Sequence, residues 1–393
     1  MLPLGFKFSG ITCGIKESSA PDLALISTSK PSVAAGVYTQ NVVRAASIDW
    51  NRNLTPSDKF QAVVINSGNA NACTGQQGIQ DNERMANLTS QAIGASPAQV
   101  LVLSTGVIGH LLPMDKIETG IQASAKILGA NQDDFEKASQ AILTTDKSNK
   151  TTFGSLEIRG SQINIAGMAK GAGMIGPNMA TMLAIMMTDA KISMANAQTI
   201  LADAARQSFN RISVEGHTST NDALLLICSG ESNIEISSAE DLKQFSQVLT
   251  DSCIDLAKRI PSDGEGSTHL VAIEITGAKS ESEADQAART IAMSALVKTA
   301  ITGADPNWGR IVSAAGYSGV EMKIEETDLS INGHVVFKNG QPIEFDAALI
   351  SQSMSDNFET KIQLKIGSGP CHATHWTSDL TTEYVRFNSQ YTT

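Results

Sequence analysis

A chain of 393 residues has room for two or three domains. Hydrophobic residues make up 41% and charged residues 18%, as in a globular protein with a substantial core, and the formal net charge of -11 argues against nucleic-acid or anionic-membrane partners, which select basic surfaces. Five scattered cysteines (Cys13, Cys73, Cys228, Cys253, Cys371) without CxxC spacing read as reduced thiols. Residues 1–7 lack the basic-then-apolar layout of a signal peptide, so a cytoplasmic location is expected.

Residues 61–65 form a short β-rich apolar run ended by Asn66-Ser67-Gly68-Asn69. Helical patterning follows over about 80–93, where Gly94 can end it. Residues 100–103 read as a second buried strand, ended by Ser104-Thr105-Gly106. Residues 134–143 are amphipathic and helical, with Asp133 placed to cap them. Residues 156–158 and 162–165 read as a hairpin leading into a Gly-rich loop. Beyond it, Ser193 can cap a long helix over 194–209, residues 223–228 are a strand, and residues 239–259 are helical. No apolar run approaches membrane-spanning length. A composition shift over 275–285 precedes a helix over 284–293 and a strand-rich tail. The expectation is a layered α/β fold with a core over 1–280 and a smaller α+β domain over 281–393.

The Gly-rich loop, Gly167-Met168-Ala169-Lys170-Gly171-Ala172-Gly173-Met174-Ile175-Gly176-Pro177, runs into Asn178-Met179-Ala180-Thr181-Met182-Leu183. Three readings stand side by side. Gly171-x-Gly173-x-x-Gly176 matches a dinucleotide fingerprint, though Pro177 follows the third glycine directly and Asp189 is loosely placed for a ribose contact. Gly-rich turns also serve only to change chain direction. The third reading is a self-cleaving nucleophile: Thr181 attacks the Ala180 carbonyl, the ester is hydrolysed, and the freed α-amino group, titrating at about 7.7–8.0, becomes the base for the Thr181 hydroxyl.

Together with Ala35-Gly36-Val37-Tyr38-Thr39-Gln40-Asn41, Asn66 to Gly75, Ser104 to Gly109, Thr144-Thr145-Asp146, Ser219-Thr220-Asn221-Asp222, Asp263-Gly264-Glu265-Gly266, Asp305 to Arg310 and the tail from Asp379 to Thr393, this loop resembles the ornithine acetyltransferase (glutamate N-acetyltransferase) family nearly end to end. The resemblance implies acetyl transfer from N2-acetylornithine to glutamate in arginine biosynthesis. It implies cleavage at Ala180-Thr181 into two chains that stay together as a heterotetramer of two copies of each. It also implies an αββα sandwich with a C-terminal α+β domain whose tail returns to the active site. By the same resemblance Thr181 is the nucleophile, and Thr105 and Gly106 form the oxyanion hole. Thr144, Lys170, Thr181, Glu265, Asn388 and Thr393 bind substrate. No cofactor and no metal are implied; acetyl-CoA as a further acetyl donor stays open. Lys170 suits a substrate carboxylate and Glu265 a substrate ammonium.

Two segments depart from the family pattern. Ala46-Ser47-Ile48 replaces an Ala-Pro-Val-like stretch, and Cys371-His372-Ala373-Thr374-His375-Trp376 puts three potential ligands where the family has small residues. The alternatives are a related acyltransferase or amidohydrolase on the same scaffold and a nucleotide-binding module.

Overall fold

The computed structural model describes residues 1–176 and 182–390. Among them, eight strands form one mixed sheet in the order Val100–Val107, Ser57–Asn69, Leu23–Tyr38, Ala223–Cys228, Leu183–Thr188, Ser161–Lys170, Lys150–Ile158, with Phe6–Ile11 also paired to Leu23–Tyr38. The sixteen-residue strand Leu23–Tyr38 joins the two halves. Its residues 23–27 pair antiparallel with 62–66, and its residues 33–38 pair antiparallel with 223–228.

Side chains alternate across each strand, so each half of the sheet has two apolar faces. Ala24, Ile26, Val63, Ile65, Leu101 and Leu103 from one half share a core with Met168, Leu183, Ile185, Met187, Leu225 and Ile227 from the other. The two halves therefore lie face to face. Outside the first, Leu25, Val64 and Val102 are covered by Met85 of helix Gly75–Ile93 and Ile117 of helix Met114–Lys126. Outside the second, Met186, Leu224 and Leu226 are covered by Leu201 of helix Met194–Gln207 and Leu249 of helix Ala239–Ser262. The result is the expected αββα sandwich.

The second sheet, of seven strands among the described residues, runs Gln341–Pro342, His334–Lys338, Asp328–Ile331, Glu359–Lys365, Leu270–Ala278, Cys371–Ser378, Ile212–Ser213. It packs on helices Glu281–Ala292, Trp308–Gly316 and Ala347–Asp356. The short strand Ile212–Ser213 leaves the sandwich side of the chain to pair with Trp376 and Thr377.

Helix ends follow local chemistry. Ser193 caps Met194–Gln207 by accepting from the Asn196 N–H at 3.2 Å, and Gly94 ends Gly75–Ile93 in the left-handed conformation. The expected cap at Asp133 is corrected. The helix is Gln132–Ala141, and Asn131 caps it, accepting from the Asp134 N–H at 2.9 Å while the Asp134 carboxylate reaches back to the Asn131 N–H. An Asn three residues before an Asp closes a capping box that one acidic residue at position 133 cannot. The helix expected over 284–293 begins at Glu281, because Ser280 accepts from the Glu283 N–H. The tail is as helical as it is stranded, with Ala295–Thr302 and Thr382–Gln390 added to the helices named above. No helix of the described residues is long and apolar enough to cross a membrane.

Candidate active site

Six segments far apart in sequence converge on one cavity of about 180 Å³. Thr105 and Gly106 come from the end of strand Val100–Val107, and Lys170 from the end of strand Ser161–Lys170. Thr144 and Thr145 come from the loop before Lys150–Ile158, and Glu215 and residues 219–221 from the approach to Ala223–Cys228. Glu265 follows helix Ala239–Ser262, and Tyr384 and Asn388 lie on helix Thr382–Gln390. Thus Thr105, Gly106, Thr144, Lys170, Glu265 and Asn388 are brought together. Ala180, Thr181 and Thr393 lie outside the described residues.

Glycine is required where the backbone closes on itself. Gly106 has φ +133, and a Cβ there would sit 2.3 Å from the Gly68 carbonyl carbon. Gly173 faces Glu265 so closely that a Cβ would lie 2.4 Å from its Oε2. The Gly171 N–H donates to Asp146 Oδ1 at 2.6 Å. Gly171 and Gly173 serve contacts with Asp146 and Glu265, and a Cβ at Gly176 would lie 2.5 Å from the Gly216 carbonyl carbon, so the GxGxxG spacing needs no pyrophosphate to explain it.

A buried charge network frames the cavity. Lys150 Nζ donates to Asp146 Oδ1 at 2.7 Å and to Asp263 Oδ2 at 2.6 Å, with the lysine side chain 1% exposed and that of Asp146 not at all. The same two carboxylates accept from the Thr144 N–H at 3.1 Å and the Lys147 N–H at 2.9 Å. One lysine therefore ties the Thr144 loop to the turn that carries Glu265. Burial works to raise the Asp146 pKa, but Lys170, Lys150 and its hydrogen bonds outweigh it and hold the carboxyl down at about 2.

Lys170 is buried beside this network, and its Nζ donates to Thr105 Oγ1 at 3.3 Å. Because the ammonium occupies the acceptor side of that hydroxyl, the Thr105 proton is left to donate elsewhere. Burial lowers the Lys170 pKa against the opposing pull of Asp146, Glu265 and Asp222. Asn221 Nδ2 donates to the carbonyls of Ala70 at 2.7 Å and Ser104 at 2.8 Å, which holds the strand end bearing Thr105 in place. Asp222 Oδ1 accepts from the Met182 N–H at 3.0 Å, fixing the backbone at the start of strand Leu183–Thr188. Burial holds the Asp222 carboxyl well above the usual carboxylate range.

At the other wall, Asn388 Nδ2 donates to Glu265 Oε2 at 3.1 Å, and Thr381 Oγ1 donates to the Gly266 carbonyl at 2.6 Å. The C-terminal helix is thereby docked on the Glu265 turn. Reading the sequence missed Asp146, Lys150, Asp263, Asp222, Glu215 and Tyr384 as parts of the site. Four of them, Asp146, Asp222, Asp263 and Tyr384, sit inside the motif blocks; Lys150 and Glu215 carry no local signature.

The Cys371-His372-His375 cluster does not converge. It lies on strand Cys371–Ser378, where alternation sends His372 to the face opposite Cys371 and His375. His375 is buried, and its Nε2 pairs with Asp285 Oδ1 at 2.9 Å. Arg211 completes that network, donating to Asp285 Oδ1 at 3.1 Å and Glu281 Oε1 at 2.6 Å. Among the described residues no group of three His, Cys, Asp or Glu side chains is placed to hold a metal ion.

Known proteins of one family are similar to this chain over nearly its whole length. A model described as the ArgJ family matches residues 7–393. The chain is 49% identical to the arginine biosynthesis bifunctional protein ArgJ of Rhodopirellula baltica, covering 100% of this chain and 97% of that protein. It is 42% identical to the protein of the same name from Synechocystis sp., with 100% and 97% covered. Among solved structures, the arginine biosynthesis bifunctional protein from Bacillus halodurans is 40% identical with a TM-score of 0.52. The match covers 98% of that crystallised chain but 53% of this one.

Proposed function

The chain belongs to the ArgJ family, and on that premise we propose that it moves an acetyl group from N2-acetylornithine to glutamate through an acetyl ester on Thr181. The observation that carries this reading is the convergence of Thr105, Gly106, Thr144, Lys170, Glu265 and Asn388 on one cavity. The precursor cuts itself first: the Thr181 hydroxyl attacks the Ala180 carbonyl, and water hydrolyses the resulting ester. The freed α-amino group then takes the Thr181 hydroxyl proton as the oxygen attacks the acetyl carbonyl. The developing oxyanion accepts from the Thr105 hydroxyl, oriented by Lys170, and from the Gly106 N–H. The proton passes to the leaving nitrogen and ornithine departs. The glutamate α-amino group attacks the ester and the same groups run in reverse, so the kinetics are ping-pong.

Asp222 supports this role by holding the Met182 N–H, one residue beyond the nucleophile. Lys170 suits the substrate α-carboxylate and Glu265 an amino group, as read from sequence. By the family resemblance Thr393 contributes to substrate binding, two copies of each cleaved chain assemble and the enzyme works in the cytoplasm, while acetyl-CoA stays open as a further acetyl donor. Denaturing gels and an acetyl-exchange assay test the core of the proposal. The wild type gives two fragments meeting at residues 180 and 181, and Thr181→Ala gives one intact chain without turnover. An uncut, active chain overturns it.

A further inference from the structure

The proposed reaction asks one cavity to accept two amino acids whose side chains carry opposite charge: a δ-ammonium on ornithine and a γ-carboxylate on glutamate. A fixed anion or a fixed cation at the distal end would favour one and repel the other. The cavity holds two glutamates that differ in how they are fixed. Glu265 is held by Asn388 and abuts Gly173, and its charge is felt by both Lys170 and Glu215.

Glu215 lines the cavity from the segment that leads out of strand Ile212–Ser213. Its Oε1 accepts from the Ile175 N–H at 2.5 Å. The flanking Val214 and Gly216 N–H groups both donate to the Ile175 carbonyl, at 2.9 and 2.8 Å, so the backbone under Glu215 is clamped. Its Oε2 is buried and has no hydrogen-bond partner among the described residues. The charged and titratable groups around it come from four elements. Glu265 lies on the turn after helix Ala239–Ser262, Lys298 on helix Ala295–Thr302, Tyr384 on helix Thr382–Gln390, and His217 on its own loop. Lys170 lines the same cavity. Lys298 is committed elsewhere, donating to the Val214 carbonyl and to Thr377 Oγ1, and Asp379 sits behind it.

Resting on the acetylornithine–glutamate reading above, we propose that Glu215 is the residue that lets one cavity serve both side chains: as a carboxylate it accepts from the ornithine δ-ammonium, and as a carboxylic acid it donates to the glutamate γ-carboxylate. Burial, together with Glu265, outweighs the Ile175 N–H and the Lys298 charge and pushes Glu215 up to about 7, so both forms are populated near neutrality. The ionised form, favoured above that value, suits ornithine; the protonated form, favoured below it, suits glutamate.

The test measures KM for N2-acetylornithine and for glutamate at about pH 6 and about pH 8, in the wild type and in Glu215→Gln. The glutamine keeps the acceptor for the Ile175 N–H and a donor for a carboxylate but never carries charge. We expect the acetylornithine KM at the higher pH to rise about tenfold in the variant, the loss of one charge-assisted hydrogen bond, while the glutamate KM at the lower pH changes less than about threefold. Equal changes for the two substrates overturn the inference. Should E215Q not fold, the wild type decides alone, using norvaline as an acceptor that shares the α-amino titration but has an uncharged side chain. A glutamate KM that rises with pH relative to norvaline supports the assignment, and a constant ratio overturns it. A wild type that moves no acetyl between the two amino acids refutes the parent reading and takes this inference with it.

Discussion

Two charge networks hold this molecule together, and they are built differently. The one around Lys150 lies inside the sandwich, where Asp146 and Asp263 share one lysine almost without solvent. The one around Arg211 lies where the sandwich meets the second sheet, and its acidic partners Glu281 and Asp285 have side chains 46% and 37% exposed. The first positions the loops that line the cavity, and any defect leaves a charge buried. The second joins strand Ile212–Ser213 and helix Glu281–Ala292 to strand Cys371–Ser378, and its two carboxylates, unlike the buried His375, can turn to water when a partner is lost. Geometry that must be fixed for chemistry is held where solvent cannot screen it; geometry that need only hold two layers together tolerates exposure.

Substitutions can break that contrast. The largest effect is expected from Lys150→Met, which leaves Asp146 and Asp263 buried without their cation. A loss of about 3–5 kcal/mol in urea unfolding is expected, with activity lost as well. The wild type carries a matching pH signature. Since the Asp146 pKa is depressed to about 2, its contribution is complete above the ordinary carboxylate value and is lost as pH falls toward 2. An acid-unfolding limb that persists unchanged in Lys150→Met would contradict the assignment.

Thr105→Val sharpens the contrast on the catalytic side. It removes the hydroxyl that Lys170 orients, and kcat should fall by about 10²–10³, equivalent to about 2.7–4 kcal/mol of barrier. Thr105→Ser should recover most of it, because the serine hydroxyl offers the same donor. The smallest effect belongs to the junction. Asp285→Asn keeps the side-chain shape and loses one half-exposed charge, so stability should fall by about 1 kcal/mol while kcat of the folded enzyme stays within about twofold. A catalytic loss there as large as that of Thr105→Val would erase the distinction between the two networks.

How much was legible beforehand follows from how local each signal is. Ser193 and Gly94 act on their own helix ends, so one residue type in the right place suffices. The cap at Asn131 needed two residues read as a pair. Strand Leu23–Tyr38 was not read at all, because Pro31 and Gly36 interrupt a pattern that spans two differently packed halves. Thr105, Lys170, Glu265 and Asn388 were legible only through their motif blocks. Asp146, Asp222 and Glu215 were not, since their roles are set by Lys150, the Met182 N–H and the Ile175 N–H, partners that only folding supplies.

The strand order of the first sheet bears on what a cut chain would become. Strands Ala223–Cys228 and Leu183–Thr188 lie side by side, flanked by Leu23–Tyr38 on one edge and Ser161–Lys170 on the other. The part before the proposed scission thus grips the two first-sheet strands of the part after it from both sides, through six paired residues on each flank. The two pieces would be interleaved like the fingers of clasped hands. They could part only by tearing the middle of a sheet, and each, made alone, would lack the neighbours its central strands require. Severing the backbone would free a terminus for chemistry without freeing the halves from one another.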